Sequence, residues 1–595
     1  MNSILILTAV SLFPMFSGVS PEEILPPVPE WNGKSMNLMV DDSDPWVTPF
    51  ETSKMKDSPP YAETMAWFKK LVEAAPELKM ISIGKSARGR EIYMILANKD
   101  KDFSTKGMRS KPLFLAHAGI HSGEIDGKDA GMMLLRDITV KGTKSSLLDK
   151  TNFIFIPILN VDGHERSSAF NRMNQRGPSK MGWRTNGRNL NLNRDFPKME
   201  TAGVRHLIEV INDYQPDLYF DLHVTDGADY QYDITFGYND VHGYSPRIAA
   251  WMNDHLTPYL NKDLEAMGHI PGPLVFAVNN GDIKQGIYGF HATMRYSNGY
   301  GDARHLPTVL VENHSLKPFG QRVLGTYVLM ESGLKLLAEK GASLRQTILA
   351  DQADRPKRVP LTWEYSDPEQ ISFKAIESQT QISDLTGGPW VRWTAKPYTV
   401  EIPYYVQNKA SITVDRPKGY WIPSDWPEII EKLKIHGVEM TILKEPKEVN
   451  AHMYRLIEPK TASSPFEGRV RVEVADVKLE ARKETFFPGS AYVSTDQPLA
   501  ELIVALLEPQ GPDSFFQWGY FLEALQRTEY FEAYAAEPLA RRMIAENPEL
   551  KVEYEAKVKA DPEFAKSQRA RLMWFYQRSP FMDDHWNLYP VAREH

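Results

Sequence analysis

The chain has 595 residues, of which 42% are hydrophobic, 11% aromatic and 25% charged. This composition is typical of folded globular domains and excludes a disordered, collagen-like or coiled-coil chain. A formal net charge of −8 with no basic block argues against a nucleic-acid partner. Cysteine is absent, which excludes disulfides, thiol nucleophiles and Cys-ligated metals, so a metal site must use His and carboxylates.

The N-terminus resembles an export signal. Residues Ile4 to Phe16 are almost continuously apolar and are followed by the small residues Ser17 to Ser20. The run is too short to span a bilayer as a helix, so residues 1–20 are predicted to be a signal peptide and the protein to be exported, either periplasmic or secreted. Residues 21–55 are rich in Pro, Asp and Ser and are expected to form an arm. No later segment is long and apolar enough for a membrane span.

Residues 56–342 show strands alternating with helices. A helix is predicted over 61–75, before Pro76. Further predicted helices cover 124–137, 204–214 and about 321–340, and predicted strands cover 80–83, 92–97, 112–116, 152–158, 218–222 and 307–311. This order indicates an α/β domain with a mixed, mostly parallel sheet flanked by helices.

The remaining chain is predicted to form two accessory regions. Residues 343–465 are expected to be β-rich, with a strand–helix–strand α/β element over 421–443. Residues 466–595 are expected to be mostly helical, with helices over 515–525, 530–545 and 564–577. Neither region contains a motif that indicates chemistry.

The pattern His-x-x-Glu, which can supply two metal ligands, occurs three times: His121/Glu124, His206/Glu209 and His436/Glu439. The second pair lies in an amphipathic helix, where a solvated pair is expected, and His436 lies at a helix end, where a histidine complements the helix dipole. His121 instead follows a buried strand through a glycine-containing loop, at the edge of an α/β sheet where ligands bind.

A third ligand is expected from another strand of the same sheet. His223 stands at the end of the apolar strand 218–222. Two imidazoles and one carboxylate, with a fourth position left to solvent, form a typical catalytic zinc site. The sequence therefore predicts that His121, Glu124 and His223 bind Zn²⁺.

Two further features fit a hydrolytic site. Glu312 ends the apolar strand 307–311, where partial burial should raise its pKa toward neutrality and suit it as general base toward metal-activated water. Arg184 and the loop 189–196 provide guanidinium and amide groups, which bind carboxylates. The alternative for Glu312 is a salt-bridged glutamate at a strand end, and the alternative for the loop is a plain surface loop.

Together these motifs resemble the zinc carboxypeptidase family of the carboxypeptidase A type, over about residues 55–342. The matching segments, in the family's chain order, are GIHSGE (119–124), NVDG (160–163), WR (183–184), NLNLNRDF (189–196), DLH (221–223) and VEN (311–313).

The resemblance implies specific roles. His121, Glu124 and His223 would be the zinc ligands, and Arg184 would polarise the scissile carbonyl. Asn193 and Arg194 would bind the free C-terminal carboxylate of a peptide substrate, and Glu312 would be the general base.

The chain departs from the family in three places. Asn191 stands where the family usually has an Asp that orients a zinc-bound histidine. The substrate-capping tyrosine is left open between Tyr288, Tyr296 and Tyr300. The family's cysteine pairs are absent.

The sequence thus favours a zinc metallocarboxypeptidase that hydrolyses the C-terminal peptide bond. One alternative is a zinc amidase or deacylase acting on N-acyl amino acids or peptidoglycan stem peptides, because these also present a free carboxylate. A binding module that has lost turnover is a second alternative, and the complete ligand set with Glu312 argues against it.

Overall fold

The structure is a computed structural model that describes residue 19 and residues 21–595. The predicted signal peptide, apart from Val19, lies outside the described residues. The chain forms two compact units. The first comprises the chain up to Val414 with 435–437 and 497–502, and the second comprises 415–434, 438–496 and 503–595. The domain boundaries expected at 342/343 and 465/466 stay predictions.

The first unit contains twelve helices and fifteen strands within the described residues. The helices are α1 Pro21–Ile24, α2 Pro49–Thr52, α3 Tyr61–Ala74, α4 Thr105–Met108, α5 Asp126–Ile138, α6 Leu147–Lys150, α7 Val161–His164, α8 Ala202–Tyr214, α9 Pro246–Trp251, α10 Thr257–Ala266, α11 Ser297–Ala303 and α12 Phe319–Ala353. The strands are β1 Leu78–Lys85, β2 Glu91–Ala97, β3 Leu113–Ala118, β4 Asn152–Ile156, β5 Leu218–Thr225, β6 Ile234–Gly237, β7 Pro271–Pro273, β8 Phe276–Ala277, β9 Ile287–Gly289, β10 Thr308–His314, β11 Arg358–Pro360, β12 Trp363–Tyr365, β13 Glu369–Ile382, β14 Pro389–Ala410 and β15 Thr413–Asp415.

Eight of these strands form one mixed sheet, in the order β1-β2-β4-β3-β5-β10-β6-β7. The four central strands, β4, β3, β5 and β10, run parallel, whereas β1, β2 and β6 pair antiparallel with their inner neighbours. The sheet confirms the predicted fold class, a mixed and mostly parallel sheet flanked by helices.

The central strands form where the sequence is mostly apolar. Every residue of β3 and β4 is buried, as expected for parallel strands covered on both faces. Helices α5 and α12 pack on one face, where Gly127 lies against Leu222 and Gly333 lies against Phe220. The helix predicted to end near residue 340 continues to Ala353, since the intervening residues are mostly good helix formers.

A second sheet of the first unit is built on a long hairpin. Strands β13 and β14 pair antiparallel, and β14 also pairs with β12 and with β9, in the order β12-β14-β9-β8. Buried side chains from both sequence regions form its core, including Tyr230, Ile287, Phe373 and Ile402. The predicted β-rich character after residue 355 is confirmed here.

The second unit combines an antiparallel sheet with helices. Its strands are β16 Gly419–Ile422, β17 Thr441–Ile442, β18 Lys447–Ile457, β19 Lys460–Thr461, β20 Val472–Glu473, β21 Asp476–Phe486, β22 Ala491–Ser494 and β23 Ala592–Glu594. The six-stranded sheet has the order β17-β22-β16-β23-β18-β21. The helices beyond residue 420 are α13 Pro427–Ile435, α14 Ala500–Leu507, α15 Ala533–Glu546, α16 Pro548–Ala560, α17 Pro562–Lys566 and α18 Gln568–Tyr576.

The strand–helix–strand element predicted over 421–443 is confirmed by β16, α13 and β17. The helix predicted over 515–525 is wrong, because only 522–525 forms a single 3₁₀ turn. Phe515, Phe516 and Trp518 are fully buried in turns, so burial of aromatic side chains and not helical periodicity determines this segment. Among the described residues, none of the helices has both the length and the apolar character that crossing a bilayer requires.

Candidate metal and substrate site

The three predicted metal ligands converge at the edge of the large sheet. Glu124 Oε2 lies 3.1 Å from His121 Nδ1 and 2.8 Å from His223 Nδ1, and the two imidazole Nδ1 atoms are 3.2 Å apart. One donor atom from each residue lies within 4.8 Å of the others, and all three side chains are buried. This group can hold a single divalent ion.

The loop after β3 brings His121 and Glu124 together. Gly119, the first residue after the strand, has a φ of +66°, a left-handed conformation that favours glycine. The Glu124 N–H then donates to the His121 carbonyl at 2.9 Å, so a tight turn places both side chains on one side. His223 reaches the same place from β5, which pairs parallel with β3.

Each histidine is oriented through its second ring nitrogen. His121 Nε2–H donates to Asn191 Oδ1 at 2.9 Å, and His223 Nε2–H donates to Asp221 Oδ2 at 2.8 Å. When the two rings are neutral, their Nδ1 atoms therefore carry no proton, and both atoms face Glu124. One histidine is held by a neutral amide and the other by a carboxylate, which is the usual outer partner of a metal-binding histidine.

The second oxygen of Glu124 contacts two arginines. Glu124 Oε1 lies 3.0 Å from Arg172 Nη1 and 3.3 Å from Arg184 Nη1. The Arg184 side chain is 44% exposed, whereas the Arg172 side chain is 16% exposed. Asn160 Nδ2 donates to the Arg184 carbonyl at 3.3 Å, so the NVDG segment supports the loop that carries Arg184.

Glu312 faces the same group from the next strand. In the parallel pairing of β10 with β5, Glu312 is the register partner of His223. Its Oε2 atom is buried and has no hydrogen-bond partner within the described residues. Burial, followed by the nearby carboxylates Glu124 and Asp221, raises the pKa of Glu312 to about 8. This is the direction that the strand-end position predicts.

The charges around Glu124 set the protonation of the ligands. Burial lowers the pKa of His121 to about 4, against the opposing effect of Glu124. Burial alone would raise the pKa of Glu124, but His121 and Arg172 hold it well below its usual value. Burial alone would lower the pKa of His223, but Asp221 and Glu124 raise it well above its usual value. The carboxylate ligand is thus ionised, as a metal ligand must be.

A cavity of about 680 Å³ opens over this group. Besides the three ligands and Glu312, it is lined by Arg172, Arg184, Asn193, Arg194, Asp226, Phe276, Phe290 and Tyr296, among others. The structure therefore brings every predicted site residue to one cavity.

Asn193 and Arg194 lie on the side of the cavity near α11. Asn193 Oδ1 accepts from the Ser297 N–H at 3.1 Å, and its Nδ2 lies 3.2 Å from His223 Nε2. The Arg194 guanidinium stacks over the Tyr296 ring at 4.5 Å. This arginine–aromatic contact holds both groups at the cavity wall.

The three candidate tyrosines occupy different places. Tyr296 lines the cavity. Tyr288 lies in β9 with its ring 5.7 Å from that of Tyr405. Tyr300 is buried, and its hydroxyl lies 2.8 Å from His436 Nδ1. Only Tyr296 of the three is in a position to contact a group bound in the cavity.

The other two His-x-x-Glu pairs do not form metal groups. His206 and Glu209 form a 3.0 Å pair on α8, as the amphipathic pattern predicts, and His436 is buried against Tyr300. Within the described residues, the other group with metal-ligand spacing is 583–585, which is largely exposed.

Two contact residues of the site lack a predicted role. Arg172 lies in a loop without a recognisable motif, and its guanidinium reaches Glu124 only in three dimensions. The contact of Asp221 with His223 could have been predicted from the sequence, because residues two apart in a strand lie on the same face and His223 is two residues after Asp221.

Residues 64–249 match the family model described as zinc carboxypeptidase. Carboxypeptidase 2 of Trichophyton rubrum is 23% identical over 455 residues, covering 73% of this chain and 79% of that protein. The inactive metallocarboxypeptidase ecm14 of Schizosaccharomyces pombe is 29% identical over 114 residues, covering 18% of this chain and 23% of that protein.

Among solved structures, the carboxypeptidase A of Helicoverpa armigera aligns with a TM-score of 0.36 and 17% identity, covering 51% of this chain and 78% of that chain. The family match spans the motifs read between residues 119 and 223. The N-terminal half of this chain is similar to the zinc carboxypeptidase family, with the family match over residues 64–249.

Proposed function

We propose that this protein is a zinc-dependent metallocarboxypeptidase that hydrolyses the C-terminal peptide bond of peptides. One observation carries the proposal. The donor atoms of His121, Glu124 and His223 lie within 4.8 Å of one another, beneath a cavity that is also lined by Glu312, Arg184 and the predicted substrate-binding residues Asn193 and Arg194.

The residues present fit a zinc ion. Two imidazole nitrogens and one carboxylate oxygen are the donor set of a catalytic zinc site. Next to the three predicted ligands, the carboxylate oxygen Glu312 Oε2 is buried and has no hydrogen-bond partner among the described residues. When bound, the ion supplies Lewis-acid chemistry: it lowers the pKa of water and polarises a carbonyl oxygen.

Glu312 is the general base in this proposal. Without a metal the pKa of Glu312 is raised to about 8, and a cation at the proposed metal position would lower it, so that the carboxylate can accept a proton from water and return it to the leaving amine near neutral pH. The register of β10 with β5 holds this carboxylate next to His223, so the proton acceptor and the metal position are fixed relative to each other.

Arg184, Asn193 and Arg194 orient the substrate. Arg184 is the more exposed of the two arginines on Glu124 and can turn toward a carbonyl oxygen to stabilise the oxyanion. Arg194 and the Asn193 amide are suited to a terminal carboxylate, because a guanidinium binds carboxylates in a bidentate fashion. Tyr296, beside Arg194, is the capping tyrosine in this proposal.

The test is metal analysis of the purified full chain with hydrolysis of N-blocked dipeptides, with and without chelator. We expect about one zinc ion per chain, hydrolysis that chelation abolishes, and no hydrolysis when the C-terminus is amidated. Glu312→Gln should bind zinc and lose turnover. Glu209→Gln, an exposed glutamate of α8, is the matched control that should retain it.

Retained activity in Glu312→Gln contradicts the role of this residue. Cleavage of amidated peptides contradicts the role of the terminal carboxylate. Hydrolysis of simple N-acyl amino acids in preference to peptides identifies the deacylase alternative instead.

A further inference from the structure

Gly123 creates space for an arginine above the metal-ligand turn. An ideal Cβ at position 123 would lie 2.1 Å from Arg172 Cδ and 2.9 Å from the Gly182 carbonyl oxygen. Any other residue would force the Arg172 side chain away, because real Cβ contacts are essentially never shorter than 3.0 Å. The glycine between His121 and Glu124 therefore decides whether Arg172 reaches the site.

Arg172 is fixed in this position by its surroundings. Its backbone has a φ of +53°, the left-handed region that costs a non-glycine residue on the order of 1 kcal/mol. Its Nε–H donates to Gln175 Oε1 at 2.7 Å, and Gln175 Nε2 donates in turn to the Gly123 carbonyl at 2.8 Å. Such strain persists only where neighbouring contacts hold it, and it clusters at functional sites.

The Arg172 side chain lines the cavity, and its donors outnumber its partners among the described residues. An arginine has five N–H groups. Arg172 donates to Gln175 Oε1 and to the Val224 carbonyl, the latter at 3.4 Å, and its Nη1 forms an ion pair with Glu124 Oε1. One N–H on each terminal nitrogen remains, and the side chain lines the cavity. A pair of donors on adjacent nitrogens suits a carboxylate.

Arg172 and Arg194 lie at opposite ends of a series of contacts across the site. Arg172 contacts Glu124, Glu124 contacts His223, His223 contacts Asn193, and Arg194 follows Asn193 in sequence. In the proposed binding mode, the terminal carboxylate lies on Arg194 and the scissile carbonyl at the metal position, and the penultimate residue would lie beyond Glu124, on the side where Arg172 lines the cavity.

We propose that Arg172 forms a second anion-binding position, which makes peptides with an acidic penultimate residue the preferred substrates. This proposal rests on the proposed carboxypeptidase function. A role for Arg172 in neutralising Glu124 alone is the structural alternative. A divalent ion on Glu124 would itself supply positive charge to this carboxylate, so neutralising Glu124 does not account for Arg172.

The kinetic test compares N-blocked dipeptides that share one C-terminal residue and carry Glu or Gln at the penultimate position. For the zinc-loaded full chain, we expect kcat/KM to favour Glu by on the order of tenfold, the effect of one charge-assisted hydrogen bond. Arg172→Gln should bring the ratio to about one, and Arg172→Lys should keep part of it. Arg188→Gln, in the neighbouring loop but not lining the cavity, should leave the ratio unchanged.

A binding measurement separates this proposal from the proposed function. Calorimetric titration of the same two dipeptides into zinc-loaded Glu312→Gln, with and without Arg172→Gln, should show tighter binding of the Glu peptide only where Arg172 is present. Zinc content is measured for every variant. Equal dissociation constants in the Arg172-containing protein overturn the anion-binding position, even if turnover is normal. A clear preference in binding without any wild-type hydrolysis overturns the carboxypeptidase function and leaves the anion-binding position standing.

Discussion

Replacing Glu312 by Gln should remove a pH-dependent loss of stability from the metal-free first unit. The pKa of this carboxyl is raised from its ordinary 4.5 to about 8, chiefly by burial. The folded state therefore holds the proton more tightly than the unfolded chain. The stabilising contribution of the protonated Glu312 carboxyl is complete below about pH 4.5 and is lost as the pH rises to about 8.

The size of the loss follows from the shift. At about 1.4 kcal/mol per pKa unit, a rise from 4.5 to about 8 corresponds to roughly 5 kcal/mol over that interval. An unfolding entropy of roughly 2 cal/mol/K per residue over the ~400 residues of the first unit converts this into on the order of 5 °C in Tm. The glutamine variant does not titrate, so it should show none of this component.

The assay is thermal unfolding of chelator-treated protein between pH 4.5 and 8, for wild type and Glu312→Gln. Burying the Gln amide adds a cost of about 1–3 kcal/mol that does not change with pH, because the amide does not titrate. The informative quantity is therefore the change with pH of the difference in Tm, and not the difference at one pH. Added zinc should flatten the wild-type curve, since a nearby cation favours the ionised carboxylate.

If Tm changes with pH in the same way for the two metal-free proteins, Glu312 ionises in the folded protein without a cost in stability. The reasoning from burial would then be refuted, together with the raised pKa on which the general-base role depends. Glu209→Gln should follow the wild type throughout, because that side chain is half exposed.

Three further changes test other parts of the structure. Asn191→Asp should tighten zinc binding by about tenfold, because a carboxylate on His121 Nε2 makes the ligand more basic; competition with a chromogenic chelator measures it. Tyr296→Phe should lower kcat/KM for dipeptides by several-fold with an unchanged Tm, if its hydroxyl caps the substrate. Gly131→Ala should destabilise the first unit by about 1–3 kcal/mol without loss of zinc, because the new Cβ would lie 2.1 Å from Phe155 Cζ.

Each change has a matched control. Asp221→Asn should weaken zinc binding by about 10- to 100-fold, the reverse of Asn191→Asp, and an unchanged zinc dissociation constant in both variants would contradict the outer-partner argument. Tyr300→Phe should lower the Tm and spare kcat/KM, since its hydroxyl is buried on His436. Gly388→Ala, whose Cβ would meet no atom closer than 3.9 Å, should be neutral.

Much of the site was accessible from sequence because its residues follow buried strands. The segments that form β3, β5 and β10 are mostly apolar, and the polar residues at or near their carboxyl ends meet at one sheet edge. His121, His223 and Glu312 were found in this way. His436 shows the limit of the pattern, since its burial against Tyr300 depends on packing that spacing alone does not indicate.

Arg172 and Tyr296 required the three-dimensional structure. The position of Arg172 depends on a missing side chain at Gly123, 49 residues earlier in the sequence, and on one left-handed residue in an irregular loop. Tyr296 differs from Tyr288 and Tyr300 only in which of them faces the cavity. Periodicity carries no information on either, because both lie outside regular strands and helices.

The pairing of β5 with β10 links the chemistry of the site to the packing of the core. Glu312 is opposite His223 because Val311 is opposite Leu222 and Val309 is opposite Phe220, and these four apolar side chains are buried. A slip of one residue would turn Glu312 to the other face of the sheet and would turn the apolar side chains toward the site. The free energy gained by burying these apolar side chains opposes such a slip. The distance between the proposed proton acceptor and the proposed metal position is thus set by hydrophobic residues that line neither. Substitutions that loosen this pairing should reduce turnover before they unfold the protein.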